Sequence, residues 1–347
     1  MMRSHLPDTC IFPLALNVSF TGNDERDLVK IIQSEEFSKI KIFVTEGGLL
    51  GFKFNENSEF FGGAVDVLSL PQNTEELLID PVMDAESKRR NIALKRVRLA
   101  NAISLLISSV VENAQNRPVV RHYVMNAFNV VSARIDNENV LYLHPQEAES
   151  LRLFFHTALY PHAQKPRPIE NINAHLLMPC FDNIRCAIRI DSKLNNFEMM
   201  ENLSLLKQAR VLHTQHAFDA SLLIGWAALE TLVDMAFFCF ELVEGKEQSI
   251  DNKKDIQLTK DKLKISNGQF RKMGISDKVN LLCAHKLIPN LHPYLFEEVK
   301  LARNALMHDA TPTSPNVSGS VSTMARDFYD GVFGLIVKPE GRYTMRL

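Results

Sequence analysis

The sequence predicts an α+β protein, with a mixed α/β N-terminal domain over residues 1–195 followed by an all-α helical bundle over residues 196–347. Three observations carry this reading. Short β-prone runs punctuated by glycines fill the first part of the chain, the apolar period becomes helical from Asp84, and nearly everything after Phe197 is helix-patterned. A chain of 347 residues also exceeds one ordinary compact core, and length alone suggests about two domains.

In the N-terminal part, Ile11 to Phe20, Ile40 to Phe54 and Phe60 to Leu70 read as strands of a small sheet, broken at Gly47-Gly48, Gly51 and Gly62-Gly63. Asp84 to Asn113 reads as one long helix. Its apolar residues Ile92, Val97, Ile103, Leu106 and Val110 recur at helical spacings, and no Gly or Pro interrupts them. Val119 to Ile135 and Val140 to Leu143 leave strand and helix both open. Pro145 to Ala158 has the early Pro and acidic first turn of a helix start. The prolines between Pro161 and Pro168 make an extended connector, and His175 to Ile190 reads as β-prone.

The second half divides into five helices. Glu198 to Leu212 is the first, and a break around His213 to His216 separates it from an almost wholly apolar second helix, Ala217 to about Val243. Glu244 to Lys272 is polar and lysine-rich, as a surface insertion would be. Ser276 to Ala284, Leu295 to His308 and Ser322 to Val337 complete the bundle.

Composition excludes several classes. With 46% apolar and 23% charged residues the chain is not of the disordered type, and with 39 basic against 41 acidic side chains it advertises no nucleic-acid coat, so any RNA contact must be local. The cysteines Cys10, Cys180, Cys186, Cys239 and Cys283 are odd in number and lack zinc-ligand spacing, which points to reduced thiols in a cytoplasmic protein and to no metal site. Met1 to Pro13 does not read as a signal peptide. Asp219, Glu230, Asp234 and Glu241 interrupt the longest apolar stretch, so no membrane span is expected. On the long helix, Arg89, Arg90, Lys95 and Arg96 are candidate RNA contacts, set against the plainer reading of a solvated charged face.

The chemistry-bearing segment is Leu301-Ala302-Arg303-Asn304-Ala305-Leu306-Met307-His308, followed by Asp309 and the Thr311-Pro312 stop. On a helix Asn304 and His308 share a face, whereas Arg303 and His308 are about 140° and about 7.5 Å apart. Arg303 is a permanent cation whose fork of donors suits phosphate oxygens. His308 is a proton carrier in the last turn, at the negative end of the helix dipole. The plainer alternatives are a structural Arg303–His308 hydrogen-bonding pair and an Asn304 that serves only its neighbouring backbone.

Arg303, Asn304 and His308 with this spacing, together with Ala220-Ser221-Leu222-Leu223-Ile224-Gly225-Trp226-Ala227-Ala228-Leu229-Glu230 on the second helix, resemble the HEPN family over roughly residues 197–340. That family carries an Arg, four to six residues and a His on its fourth helix, often with Asn after the Arg. The resemblance implies a metal-independent endoribonuclease that needs no cofactor. Two copies would pack their motif helices across a two-fold axis in a homodimer. His308 would act as general base or acid, Arg303 would stabilise phosphoryl charge, Asn304 would position the phosphate or His308, and Glu230 would hold Arg303. It further implies a toxin or antiviral-defence role, with an antitoxin or activating ligand as partner and the N-terminal domain sensing or restraining activity. The rival expectation is a HEPN-like dimerisation module that binds RNA or a nucleotide without cutting. No tyrosine follows closely after His308, which argues against a toxin silenced by nucleotidylation there. The N-terminal half offers no Gly-rich phosphate loop and no Gly-x-Ser-x-Gly elbow.

Overall fold

The computed structural model describes residues 9–13, 18–19, 30–37, 39–55, 81–116, 123–125, 131–135, 141–142, 170–193, 198–245, 272–284 and 293–337. The expected strand Phe60 to Leu70, the helix Pro145 to Ala158, the connector Pro161 to Pro168 and nearly all of the polar insertion Glu244 to Lys272 lie outside these residues. The architecture is α+β. The chain forms two compact units, one of residues 1–104 and 119–181, the other of residues 105–118 and 182–347.

Among the described residues, the first unit is built on an antiparallel sheet of five strands. These are β1 (Thr9–Pro13), β3 (Ile31–Glu36), β4 (Ile40–Thr45), β5 (Leu49–Phe54) and β6 (Val131–Ser132), in the order β3-β4-β5-β1-β6. Two short pairs accompany it: β2 (Val18–Ser19) runs parallel to β9 (Glu170–Asn171), and β7 (Arg134–Ile135) antiparallel to β8 (Leu141–Tyr142). Strands β4 and β5 form a hairpin whose turn closes through Gly48 at φ 78, a left-handed conformation suited to glycine. Ile42, Phe43, Val44, Leu50 and Phe52 are all fully buried, so both faces of the hairpin are covered and the run is continuously apolar rather than alternating. Phe43 pairs with Gly51 across the hairpin, and a Cβ at Gly51 would stand 1.9 Å from the Phe43 ring, so this position admits no side chain. Strand β3, which the pattern does not announce, is an edge strand. Its Gln33, Ser34, Glu35 and Glu36 give a charged margin instead of an apolar signal.

Helix α1 spans Pro81–Gln115, a little longer than its apolar period marks. Helix α2, Leu177–Lys193, corrects the β-prone reading of His175 to Ile190. Leu177, Cys180, Phe181, Ile184, Ala187 and Ile190 are buried at spacings of three, one, three, three and three, a helical stripe that β-branched isoleucines disguise.

In the second unit α3 (Glu198–Thr214) and α4 (Phe218–Gly245) pack along their lengths, and α5 (Ile275–Ala284), α6 (Pro293–Asp309) and α7 (Pro315–Phe328) follow. Hydrogen bonds lock α3 to α4: Asn202 Nδ2 donates to the Ala228 carbonyl at 2.8 Å and Ser221 Oγ to the Ala209 carbonyl at 2.8 Å. Tyr329 Oη donates to Asn202 Oδ1 at 2.5 Å, tying the end of α7 into the same interior. Gly225 lets three helices meet, because a Cβ there would lie 2.5 Å from Val321 Cγ1 and 3.4 Å from Ala209 Cβ. Helix α7 begins at Pro315 rather than at Ser322. Ser314 caps it by accepting the Val317 N–H and Pro315 occupies the first turn, both loop-like residues in a sequence but favourable at this end of a helix. Past α7 a single π turn, Tyr329–Phe333, ends at Gly334 with φ 67, and Asn183 clamps the following segment through both the N–H and the carbonyl of Ile336 at 3.0 Å.

Candidate functional site

Helix α6 is anchored by its first half. Phe296 and Val299 are buried, and the Phe296 ring lies 5.1 Å from that of Trp226 on α4. Lys300 donates to Ser276 Oγ on α5, so the helix is fixed before the motif begins. From Leu301 onward α6 leaves the core: residues 302–306 are half-buried and residues 307–309 exposed.

Arg303 and Asn304 are brought together directly, with the Arg303 guanidinium Nη1 donating to Asn304 Oδ1 at 3.1 Å. This bond restrains a long side chain and leaves the rest of the guanidinium donors for a ligand. His308 is exposed two turns of sequence pattern beyond Leu301, and within this chain Arg303 makes neither a hydrogen bond nor an ion pair to it among the described residues. Glu230 is exposed on α4 and likewise shows no bond to Arg303 among the described residues. The chain thus assembles Arg303 with Asn304 and keeps His308 on the same exposed end of α6, without joining all four residues.

Helix α6 also exposes three large apolar side chains. Tyr294, Leu301 and Met307 are 69%, 65% and 53% exposed, and Tyr294, Leu301 and His308, spaced by sevens, fall in one stripe along the helix.

At the end of α6 the chain turns sharply. Ala310 adopts φ 52, Thr311 N–H donates back to the Ala305 carbonyl at 3.2 Å, and Thr313 N–H donates to Asp219 Oδ1 at 2.6 Å, in the first turn of α4. In the sequence Asp219 stood out only as a charge interrupting the apolar second helix, and Thr313 only as the residue after the Thr311-Pro312 stop. Nearby in the second unit, His213 Nδ1 lies 3.1 Å from Ser318 Oγ, and burial, helped by the charge of His216, holds the His213 imidazole below its ordinary pKa.

Of the basic residues on α1, Arg90 is exposed and Lys95 half-buried, whereas the side chain of Arg89 lies outside the described residues. Arg96 departs from the expectation of an RNA contact. It is 2% exposed with its guanidinium carbon 4.4 Å above the Phe54 ring, so this cation is committed to the interior of the first unit. Cys10 and Cys180 are buried, and burial pushes the Cys180 thiol up to about 12, as suits an inert core residue. Among the described residues no group of three or more metal-ligating side chains gathers, and no helix is long and apolar enough to cross a membrane.

No protein-family model, curated protein or solved structure matches the chain.

Proposed function

We propose that this chain is an endoribonuclease of the HEPN type. The observation that supports the reading most is the placement of Arg303, Asn304 and His308 on the last turns of α6, where the helix leaves the core, with the guanidinium restrained by Asn304 and with Leu301 and Met307 exposed on the same turns. Exposed apolar side chains on such a helix offer a surface on which it can pair with its own copy and bring the motif to the seam.

The chemistry runs through the two copies of His308 at such a seam. One imidazole accepts the proton of a ribose 2′-OH, O2′ attacks the adjacent phosphorus, and the P–O5′ bond breaks as the other imidazole, protonated, donates to O5′. The products are a 2′,3′-cyclic phosphate and a 5′-hydroxyl. Arg303 stabilises the charge that grows on the non-bridging oxygens, and Asn304 fixes where that cation stands. The step as written requires no metal and no cofactor. Toxin or antiviral-defence use, restrained by an antitoxin or released by an activating ligand, is the biological role that goes with this reading, and the first unit is the place for such a signal to act.

One observation favours a second reading. Within a single copy Arg303 does not reach His308, so a bundle that fails to pair would hold RNA or a nucleotide at Arg303 without cutting it. Incubating the full-length protein with total cellular RNA in a chelator-containing buffer separates the two readings: cleavage supports the ribonuclease, and binding without cleavage supports the module.

A further inference from the structure

Helix α6 stops ahead of Thr311-Pro312, but its last turn lacks the residue best suited to close it. No glycine follows His308 to take the left-handed position that usually terminates a helix, and Ala310 occupies it instead, at φ 52. An L-residue is disfavoured in that conformation and keeps it only where its surroundings impose it. The surroundings here are specific. Thr311 N–H folds back to the Ala305 carbonyl at 3.2 Å, Thr313 is buried with its N–H held by Asp219 Oδ1 at 2.6 Å, and Ser314 then caps α7. The connector between α6 and α7 is therefore pinned in its middle by a side chain of α4. Asp219 is well suited to the task. It lies in the first turn of α4, where the helix dipole favours a carboxylate, and a charged acceptor makes a short, strong bond to an amide N–H.

We propose that Asp219 is a positioning residue for His308: by holding Thr313 it forces the left-handed turn at Ala310 and so fixes the last turn of α6, from which the imidazole projects. Its consequence for catalysis rests on the ribonuclease reading above, whereas its consequence for the helix end does not. Without the clamp Ala310 relaxes to an ordinary conformation, the α6 end frays, and the imidazole samples a wider volume. A displacement of about 1 Å at a reacting group can lower a rate on the order of 100-fold.

The test compares the full-length protein with Asp219→Ala and Asp219→Asn. Asp219 is solvent-exposed, so neither change opens the core, and asparagine retains an oxygen acceptor at the same atom. The first readout is amide hydrogen exchange followed by mass spectrometry. Asp219→Ala should speed exchange in a peptide covering residues 305–311 at least about tenfold while the segment around Phe296 and Val299 stays unchanged, and Asp219→Asn should remain close to the parent. The second readout is RNA cleavage, where Asp219→Ala should lower kcat about ten- to 100-fold with KM nearly constant and Asp219→Asn should recover most of the loss. Unchanged exchange at residues 305–311 in Asp219→Ala, or an increase spread evenly over all helices, would overturn the inference. So would a loss confined to KM. If the parent protein cuts no RNA, the ribonuclease reading fails by itself, and the exchange comparison still decides the role of Asp219.

Discussion

Arg210 on α3 meets Glu112 on α1 at 3.5 Å with both side chains almost wholly removed from solvent, at 1% and 2% exposed. Both residues belong to the second unit, and Lys207, one turn earlier on α3, is buried with them at 1%. Ser109, one turn before Glu112, and Ser204, one turn before Lys207, are buried too. Arg210 and Glu112 meet in this way only in the native arrangement, and removing one of them leaves the other charge stranded in a medium that solvates it poorly.

Glu112→Gln is therefore expected to destabilise the protein by about 3 kcal/mol, because it removes the negative charge and leaves the Arg210 cation buried. Chemical denaturation of the two proteins side by side checks this through the shift in midpoint. Equal midpoints would mean that the pair contributes nothing beyond its packing.

Lys207 should make stability rise with pH in a defined window. Burial, reinforced by the Arg210 charge, brings the folded amine down to about 7 from its ordinary 10.5, so between those values the unfolded chain holds a proton that the folded chain has lost. Unfolding takes up a proton throughout that window, and stability climbs by about 1 kcal/mol per pH unit, whereas below pH 7 the cost of burying the group is constant. Lys207→Met should flatten the profile between pH 7 and 9 and stabilise the protein most at the acid end. Parallel profiles for the two proteins would contradict the assignment.

Gly225→Ala should destabilise the bundle by about 1 to 3 kcal/mol although alanine is the better helix former, since its Cβ would meet the stiff Val321 side chain. Val321→Ala in the same chain should recover part of that loss, and a double-mutant cycle of thermal unfolding measures the coupling. Strict additivity of the two changes would show that α4 and α7 do not meet there.

These same positions show how far the sequence could be read. Helix α4 was legible as a long, almost wholly apolar run, and α6 by the Thr311-Pro312 stop that ends it directly. The hairpin β4–β5 was legible as an apolar run with glycine at its turn. Strand β3 was not, since an edge strand hides few residues, and α2 was mistaken because isoleucine and cysteine suit a strand as well as a buried helical stripe. The start of α7 lay in a stretch of Pro, Ser and Gly whose role as cap and first turn depends on where the chain goes next. At the candidate site, Arg303, Asn304 and His308 were singled out by their resemblance to the HEPN pattern taken together with the apolar second helix. The clamp by Asp219 was not, because a contact between residues 94 apart in the chain leaves no local pattern. Arg96 illustrates the opposite error: a run of basic residues looks like one exposed face until packing removes one of them onto Phe54.

The central claim is tested most directly by cleavage of total cellular RNA in the presence of a chelator, comparing the full-length protein with Arg303→Ala and His308→Ala. The ribonuclease reading predicts cleavage that leaves 2′,3′-cyclic phosphate ends, with each substitution lowering the rate on the order of 100-fold or more while the protein stays folded. Intact RNA with all three proteins, or cleavage that survives both substitutions, would contradict it.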